Sequence, residues 1–390
     1  MKIRLKYILF LIIAFVIIEK PAAQKSQQRK WTLTGYLKYL QSVSFQKIND
    51  NWMTDNLLHN RLNFNWDVNG NFTFNTQVRN RIYFGETVTN FPHYVNYIDR
   101  ETGFLDMSWT ILDANSIFMV TNIDRLYLDY NINKFEITVG RQRINWGETF
   151  VWNPNDLFNT YNFFDFDYEE KPGSDAVRFQ FYPSYTSRLD IAAKLDYNNE
   201  LTIAGLYHFN KWKTDLQFLG GYYAGTDFVL GGGFSASVLK GGLHGEITCF
   251  HPQENFSDST TTVVASLGYD YTFKNSLMVL AEGLYNGYGY TSGSFNLAEF
   301  YFMNVTPQNL SLTRWSFLAQ LSYPITPLLQ GTFATIYSPN DNSWFIGPSA
   351  EYSLTESLYL SFFMQYFTSD TPIDQGGQGC FLYWRFKWSF

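Results

Sequence analysis

Only two cysteines, Cys249 and Cys380, occur in 390 residues. No disulfide framework can hold this fold, and both thiols sit where small apolar side chains suffice. Five histidines (His59, His93, His208, His244, His251) are scattered without the H-x-x-x-H spacing of a metal pair, and no G-x-S-x-G elbow occurs. No metal, cofactor or catalytic residue is therefore expected, although an acid or serine pair assembled across strands stays open as a lesser alternative. Charge is scarce too: 16% of residues are charged and the net charge is -7. With no basic stripe, nucleic acid is not an expected partner. Beyond residue 18 the chain has no apolar run of helix-spanning length, which excludes a bundle of membrane helices.

Aromatic residues make up 19% of the chain, while the mean hydropathy is slightly negative. At the N-terminus Lys2, Arg4 and Lys6 precede an apolar run over 7–18, followed by Pro21, Ala22 and Ala23. This order reads as a signal peptide over 1–23, leaving a single domain over 24–390. An aromatic-rich chain without membrane helices fits a membrane if its strands alternate apolar and polar residues around a closed barrel. The last eleven residues do alternate: Cys380, Leu382, Trp384, Phe386, Trp388 and Phe390 share one face, and Phe381, Tyr383, Arg385, Lys387 and Ser389 the other. As the edge of a soluble sandwich the first face would expose a row of aromatics to water.

The expected fold is thus all-β, a transmembrane antiparallel β-barrel of about 18 strands, with 16 as the competing count. Strands are expected at 31–42, 57–69, 71–83, 122–132, 134–144, 174–182, 187–196, 200–210, 213–224, 226–239, 241–251, 261–273, 276–286, 312–323, 326–337, 341–354, 357–367 and 380–390. Alternate connections are tight and centre on Gly70, Asn133, Ser184, Lys211, Lys240, Asn275, Ile325 and Thr355. The other set includes the long segments 84–121, 145–173, 287–311 and 368–379. Short turns on one rim and long loops on the other place both termini in the periplasm and the long loops outside the cell. The barrel is wide enough for an aqueous channel, and no length remains for a plug domain.

Strand parity turns Arg61, Arg79, Arg81, Arg125 and Arg178 toward the lumen. Arg141 and Arg143 have lipid-side parity, which leaves two readings: the strand has already left the hydrocarbon, or Gly140 carries a bulge that brings both into the basic wall. After Trp146 come Glu148, Asp156, Asp165, Asp167, Glu169 and Glu170, with Lys171 the one base among them. If the loop over 145–173 folds inward, an acidic constriction faces a basic wall and sets a transverse field across the pore. Otherwise those carboxylates lie in outside water or bind cations that bridge lipopolysaccharide.

The segment GRQRINWGETFVWNPND carries a resemblance. Gly140, Arg141, Gln142, Trp146, Gly147, Asn153, Pro154 and Asp156 look like a stretch of uncharacterised porin-like outer-membrane proteins of Gram-negative bacteria. Loop placement resembles the general porins, whose third loop narrows the channel. The lumenal arginines resemble the basic ladder of eighteen-stranded carboxylate-uptake channels. A terminal Phe390 with Trp388 resembles the signature read by the barrel-assembly machinery, and the Asn, Tyr and Phe usage resembles that of Bacteroidetes. These resemblances imply a non-enzymatic outer-membrane porin for small hydrophilic, anionic solutes, with outer-membrane lipid and lipopolysaccharide as surroundings and a homo-oligomer as one assembly. The alternative is a structural or secretion-associated barrel acting with partner proteins.

Overall fold

The computed structural model describes residues 30–49, 52–91, 93–101, 103–160, 163–165 and 172–390. The expected signal peptide over 1–23 lies outside them, as do Asp167, Glu169 and Glu170. Among the described residues nineteen strands form one sheet: β1 (Trp31–Phe45), β2 (Met53–Asp67), β3 (Phe72–Gly85), β4 (Ser108–Ala114), β5 (Ile117–Ile132), β6 (Phe135–Gln142), β7 (Ser174–Ser184), β8 (Ser187–Leu195), β9 (Leu201–Lys211) and β10 (Thr214–Tyr223), then β11 (Asp227–Val238), β12 (Gly241–Pro252), β13 (Thr262–Thr272), β14 (Met278–Asn286), β15 (Trp315–Thr326), β16 (Leu329–Ser338), β17 (Ser343–Thr355), β18 (Leu358–Thr368) and β19 (Gln378–Ser389). Every pairing is antiparallel. The sheet closes where β1 meets β19, from Tyr36 opposite Ser389 to Phe45 opposite Cys380. Gly35 and Phe390 exchange backbone hydrogen bonds of 2.9 Å at the end of that seam.

Nineteen strands make eighteen staves because β4 and β6 share one. The lower half of β5 pairs with β6, Leu126 with Arg141 down to Ile132 with Phe135. Its upper half pairs with β4, Asn122 with Ser108 up to Ile117 with Ala114. Both partners run the same way, so β4 continues the stave that β6 leaves at Gln142. Sequence reading assigns β4 to a loop and starts β5 at 122, and the physical reason is packing. Phe118 and Val120 face inward against Val88 and Val95 of the short helices α1 (Glu86–Asn90) and α2 (Tyr94–Ile98). With both faces of the upper strand apolar, the period-two signal vanishes there.

Every connection on one rim is tight, and short ones at 196–200, 224–226 and 339–342 lie on the other. Several need left-handed backbone at non-glycine residues, including Trp212 with Lys213 and Leu239 with Lys240, the positive-φ pair that matches hairpin twist. Long connections lie on the opposite rim. Outside the barrel stand exposed Val139, Val177, Leu230, Phe218, Leu267 and Phe317, a surface suited to hydrocarbon.

Candidate functional site

The chain leaves the wall after Gln142, and the segment 144–159, Phe150 apart, lies buried or half-buried inside the barrel. Ile144, Trp146, Val151, Trp152, Leu157 and Phe158 are all under 8% exposed. They pack on inward-facing Leu206, Leu219, Phe250, Val264, Leu284 and Phe345 of the wall, joined by Phe295, Leu297 and Leu310 from the connection between β14 and β15. Much of the loop-side lumen along β7 to β18 is therefore an apolar core and not the wet wall that parity alone implies.

Two wall glutamates hold the backbone of this segment. Glu246, mid-strand in β12, accepts from Thr149 N at 2.8 Å, Asn155 N at 2.9 Å and Thr149 Oγ1 at 3.2 Å, and also from Glu148 N. Glu282, in β14, accepts from Phe150 N and Val151 N at 3.0 Å and from Trp152 N at 2.7 Å. Six consecutive or near-consecutive donors that no strand satisfies thus end on two carboxylates, each only 3% exposed. An orphaned buried N–H costs about 1–3 kcal/mol, so the carboxylates make an irregular segment tolerable inside the barrel. Neighbouring side chains complete the dock. Asn155 Nδ2 donates to Gly232 O at 3.0 Å and its Oδ1 accepts from Thr248 Oγ1 at 2.7 Å. A Cβ on Gly231 would lie 2.9 Å from Asn155 Oδ1, so the glycine run of β11 is the space the asparagine occupies. Gly147 is under the same constraint, since its Cβ would meet Asn153 Oδ1 at 2.1 Å.

Trp146 and Trp152 are core residues of the dock. Trp146 Nε1 donates to Asp190 Oδ2 at 3.1 Å, and Gln217 Nε2 donates to Trp146 O at 2.8 Å. Asp156 is fully buried, with Oδ1 3.4 Å from Trp146 N. Glu148 sits 3.9 Å from His208 Nε2, and burial, then the charge of Asp215, raises its carboxyl above the ordinary glutamate range. Asp165 is exposed beyond Phe163 and Phe164.

The arginines are brought inward but arrive with partners. Arg61 is 1% exposed and donates to Asp124 Oδ2 at 2.8 Å, Gln77 Oε1 at 2.6 Å and Asn63 Oδ1 at 3.0 Å. Arg79 Nε lies 3.4 Å from the same Asp124 oxygen. A register shift opposite Gln77 and Val78 lets Asp124 and Arg125 both oppose the inner face, a bulge that supplies the acid between two arginines. Arg125 donates to Asp124 O at 2.7 Å. Arg81 donates to Asn122 Oδ1 at 2.8 Å and Tyr83 Oη at 3.0 Å. Arg178 pairs with Asp190, Nε to Oδ1 at 3.0 Å.

Arg141 and Arg143 depart from the expected inner wall. Pairing runs without a shift past Gly140 on both sides, so the bulge proposed there is absent, although Gly140 has φ +117°. Arg141 fills the joint between the two halves of the split stave. It donates to Asp175 Oδ1 at 2.7 Å and Oδ2 at 2.8 Å, Glu101 Oε2 at 3.0 Å, Leu105 O at 2.6 Å and Ile123 O at 3.2 Å. Arg143 is exposed. Trp388 and Phe390 border the closing seam, their ring centroids 5.1 Å apart. Glu246 and Glu282 are the residues that sequence reading missed. Their signal was a carboxylate beside glycine at inward parity in the middle of a strand.

A closed antiparallel barrel of eighteen staves with an apolar exterior defines the transmembrane β-barrel class. The chain belongs to the family described as "Protein of unknown function (DUF1302)", whose model matches residues 58–270. The fold is similar to that of Pseudomonas aeruginosa OprD, an outer membrane protein (TM-score 0.57, 11% identity, covering 96% of this chain and 98% of that one). It is also similar to P. aeruginosa OccK5 (OpdH) (0.59, 10%, 92% and 98%) and Acinetobacter baumannii OccAB4 (0.56, 10%, 93% and 99%). No curated protein matches the sequence.

Proposed function

We propose that the chain is an outer-membrane channel for passive diffusion of small hydrophilic solutes, with its lumen narrowed by the segment that follows β6. The observation that carries this reading is the pair of wall carboxylates, Glu246 and Glu282, holding residues 148–155 across the barrel interior. A constriction must be fixed to discriminate, and six backbone donors on two carboxylates fix it. The apolar core fills the side of β7 to β18, so the solute route runs along the arc β19, β1, β2, β3 and β5. That arc carries Arg79, Arg81 and Lys387, half-buried at inward parity, beside buried Lys38, Arg61, Arg125 and Arg385; Arg61 and Arg79 share Asp124, and Arg385 pairs with Glu351 at 3.0 Å. A basic arc of this kind favours anionic solutes. The acidic part of the loop over 145–173 supplies the opposing sign through Glu148 and Asp165.

The rival reading, a barrel that serves partner proteins, draws on the extent of the apolar filling. A planar-bilayer recording of the purified full chain separates the two: stable conductance steps are expected, and their absence would sink the channel. We further propose periplasmic termini and a C-terminal assembly signal at Trp388 and Phe390. Deleting Phe390 should leave the chain unassembled in the cell while refolding in detergent persists.

A further inference from the structure

A chamber lies beside the dock, under the long loops, where β1, β2, β3 and β19 reach the loop rim. Its volume is about 780 Å3, within the range of small-molecule sites. Leu40 and Leu57, opposite each other in register, form part of its wall. Helices α1, α2 and α3 (Leu297–Phe302) and the turn over 373–375 also line it. Rings dominate the lining: Tyr83, Tyr94, Tyr97, Tyr301, Phe381 and Tyr383. Among the described residues no lysine, arginine or histidine lines it, and the carboxylates of the lining are Asp55 and Asp374.

The polar atoms here are largely committed. Asp55 accepts from Thr87 N at 2.8 Å. Asn296 caps α3, accepting from Ala298 N at 2.9 Å and Glu299 N at 3.1 Å, and donates to Gln375 O at 3.2 Å. Tyr301 Oη donates to Gln365 Oε1 at 3.0 Å and Tyr97 Oη to Tyr301 O at 3.4 Å. Those bonds fix the rings and leave their faces and edges as the recognition surface. A sugar needs many free donors and acceptors and would find few. An anion would meet carboxylates and no base in the lining. We propose that this chamber is a binding site for an uncharged, flat ring compound of one to three rings bearing a single polar group, met at the rim by Asp374 or Gln375. The chamber sits at the loop-rim end of the arc proposed as the solute route, apart from the constriction, and its occupancy does not depend on whether the lumen conducts.

The test is titration of the full chain in lipid nanodiscs with 2-naphthol, a neutral fluorescent two-ring phenol, against empty discs. A saturable component above the empty-disc signal is expected. The double variant Phe91→Ala/Tyr97→Ala removes two exposed rings of the lining and should weaken it about tenfold or more, by the usual worth of two ring contacts. Ala298→Trp, placed on the exposed side of α3, should fill the chamber and abolish binding while the variant still runs as a folded barrel on unheated gels. The proposal is overturned if no saturable component appears, if both variants bind as the native chain does, or if benzoate displaces the probe at equal concentration.

Discussion

Glu282 accepts the backbone N–H of Trp152 at 2.7 Å from a position 130 residues further along the chain. The bond ties the middle of the inward segment to the middle of a wall strand, and two more N–H groups share the same carboxylate. Bonds to a charged acceptor contribute about 1.5–3 kcal/mol each. Glu282→Ala strips three donors at once and should release this half of the dock, raising the single-channel conductance. Glu282→Gln, with one acceptor oxygen left, should fall between. Recordings that give identical conductance and noise for all three proteins would show that the carboxylate does not position the segment.

Arg141 makes the opposite kind of link, donating to two carboxylates and two carbonyls at the joint of β4 and β6. A lysine carries the charge but not the fork that reaches four acceptors. Arg141→Lys should cost roughly 2–4 kcal/mol, the scale of a buried pair losing its geometry. Arg143→Lys, at an exposed position, should cost almost nothing. The temperature at which the compact gel band of the barrel converts to the unfolded one reads both, and equal temperatures for the two variants would contradict the keystone role.

The strand count and the two rims were legible because wall residues obey a period of two and turns punctuate them. Where that code failed, a second layer had intervened. Phe118 and Val120 are inward yet apolar because α1 and α2 cover them, which hid the top of β5 and the whole of β4. Asp124 opposes the arginines only through a bulge, and nothing in IDRLY announces one. The motif from Gly140 to Asp156 was visible as a site, but not what it touches. Its partners Glu246 and Glu282 lie at least 90 residues away, and single-sequence reading has no register between distant staves to bring them together.

The shared acid of Arg61 and Arg79 sets the balance of the basic arc. Asp124→Asn removes one negative charge between two cations, so the anion-to-cation permeability ratio should rise, with some loss of stability because Arg61 is left buried without its acid. Arg79→Gln with Arg81→Gln should move the ratio the other way. Reversal potentials in a salt gradient measure both. Unchanged potentials in the two variants would place selectivity elsewhere in the lumen.

In the proposed channel, Glu148 gives selectivity a pH dependence with a defined sign. Burial, followed by the nearby charge of Asp215, raises its carboxyl above the ordinary glutamate range, so it takes up its proton at a higher pH than an exposed glutamate would. The raised value means the folded chain holds the proton more tightly than the unfolded one. The associated stability is full below the unfolded value and is lost as pH rises through the folded one. As pH falls through that window the inward segment loses a negative charge, and anion preference should increase before exposed carboxylates titrate. Glu148→Gln should remove this early step and leave the later one. A native chain whose selectivity changes only in the ordinary carboxylate range would show that Glu148 does not face the solute route.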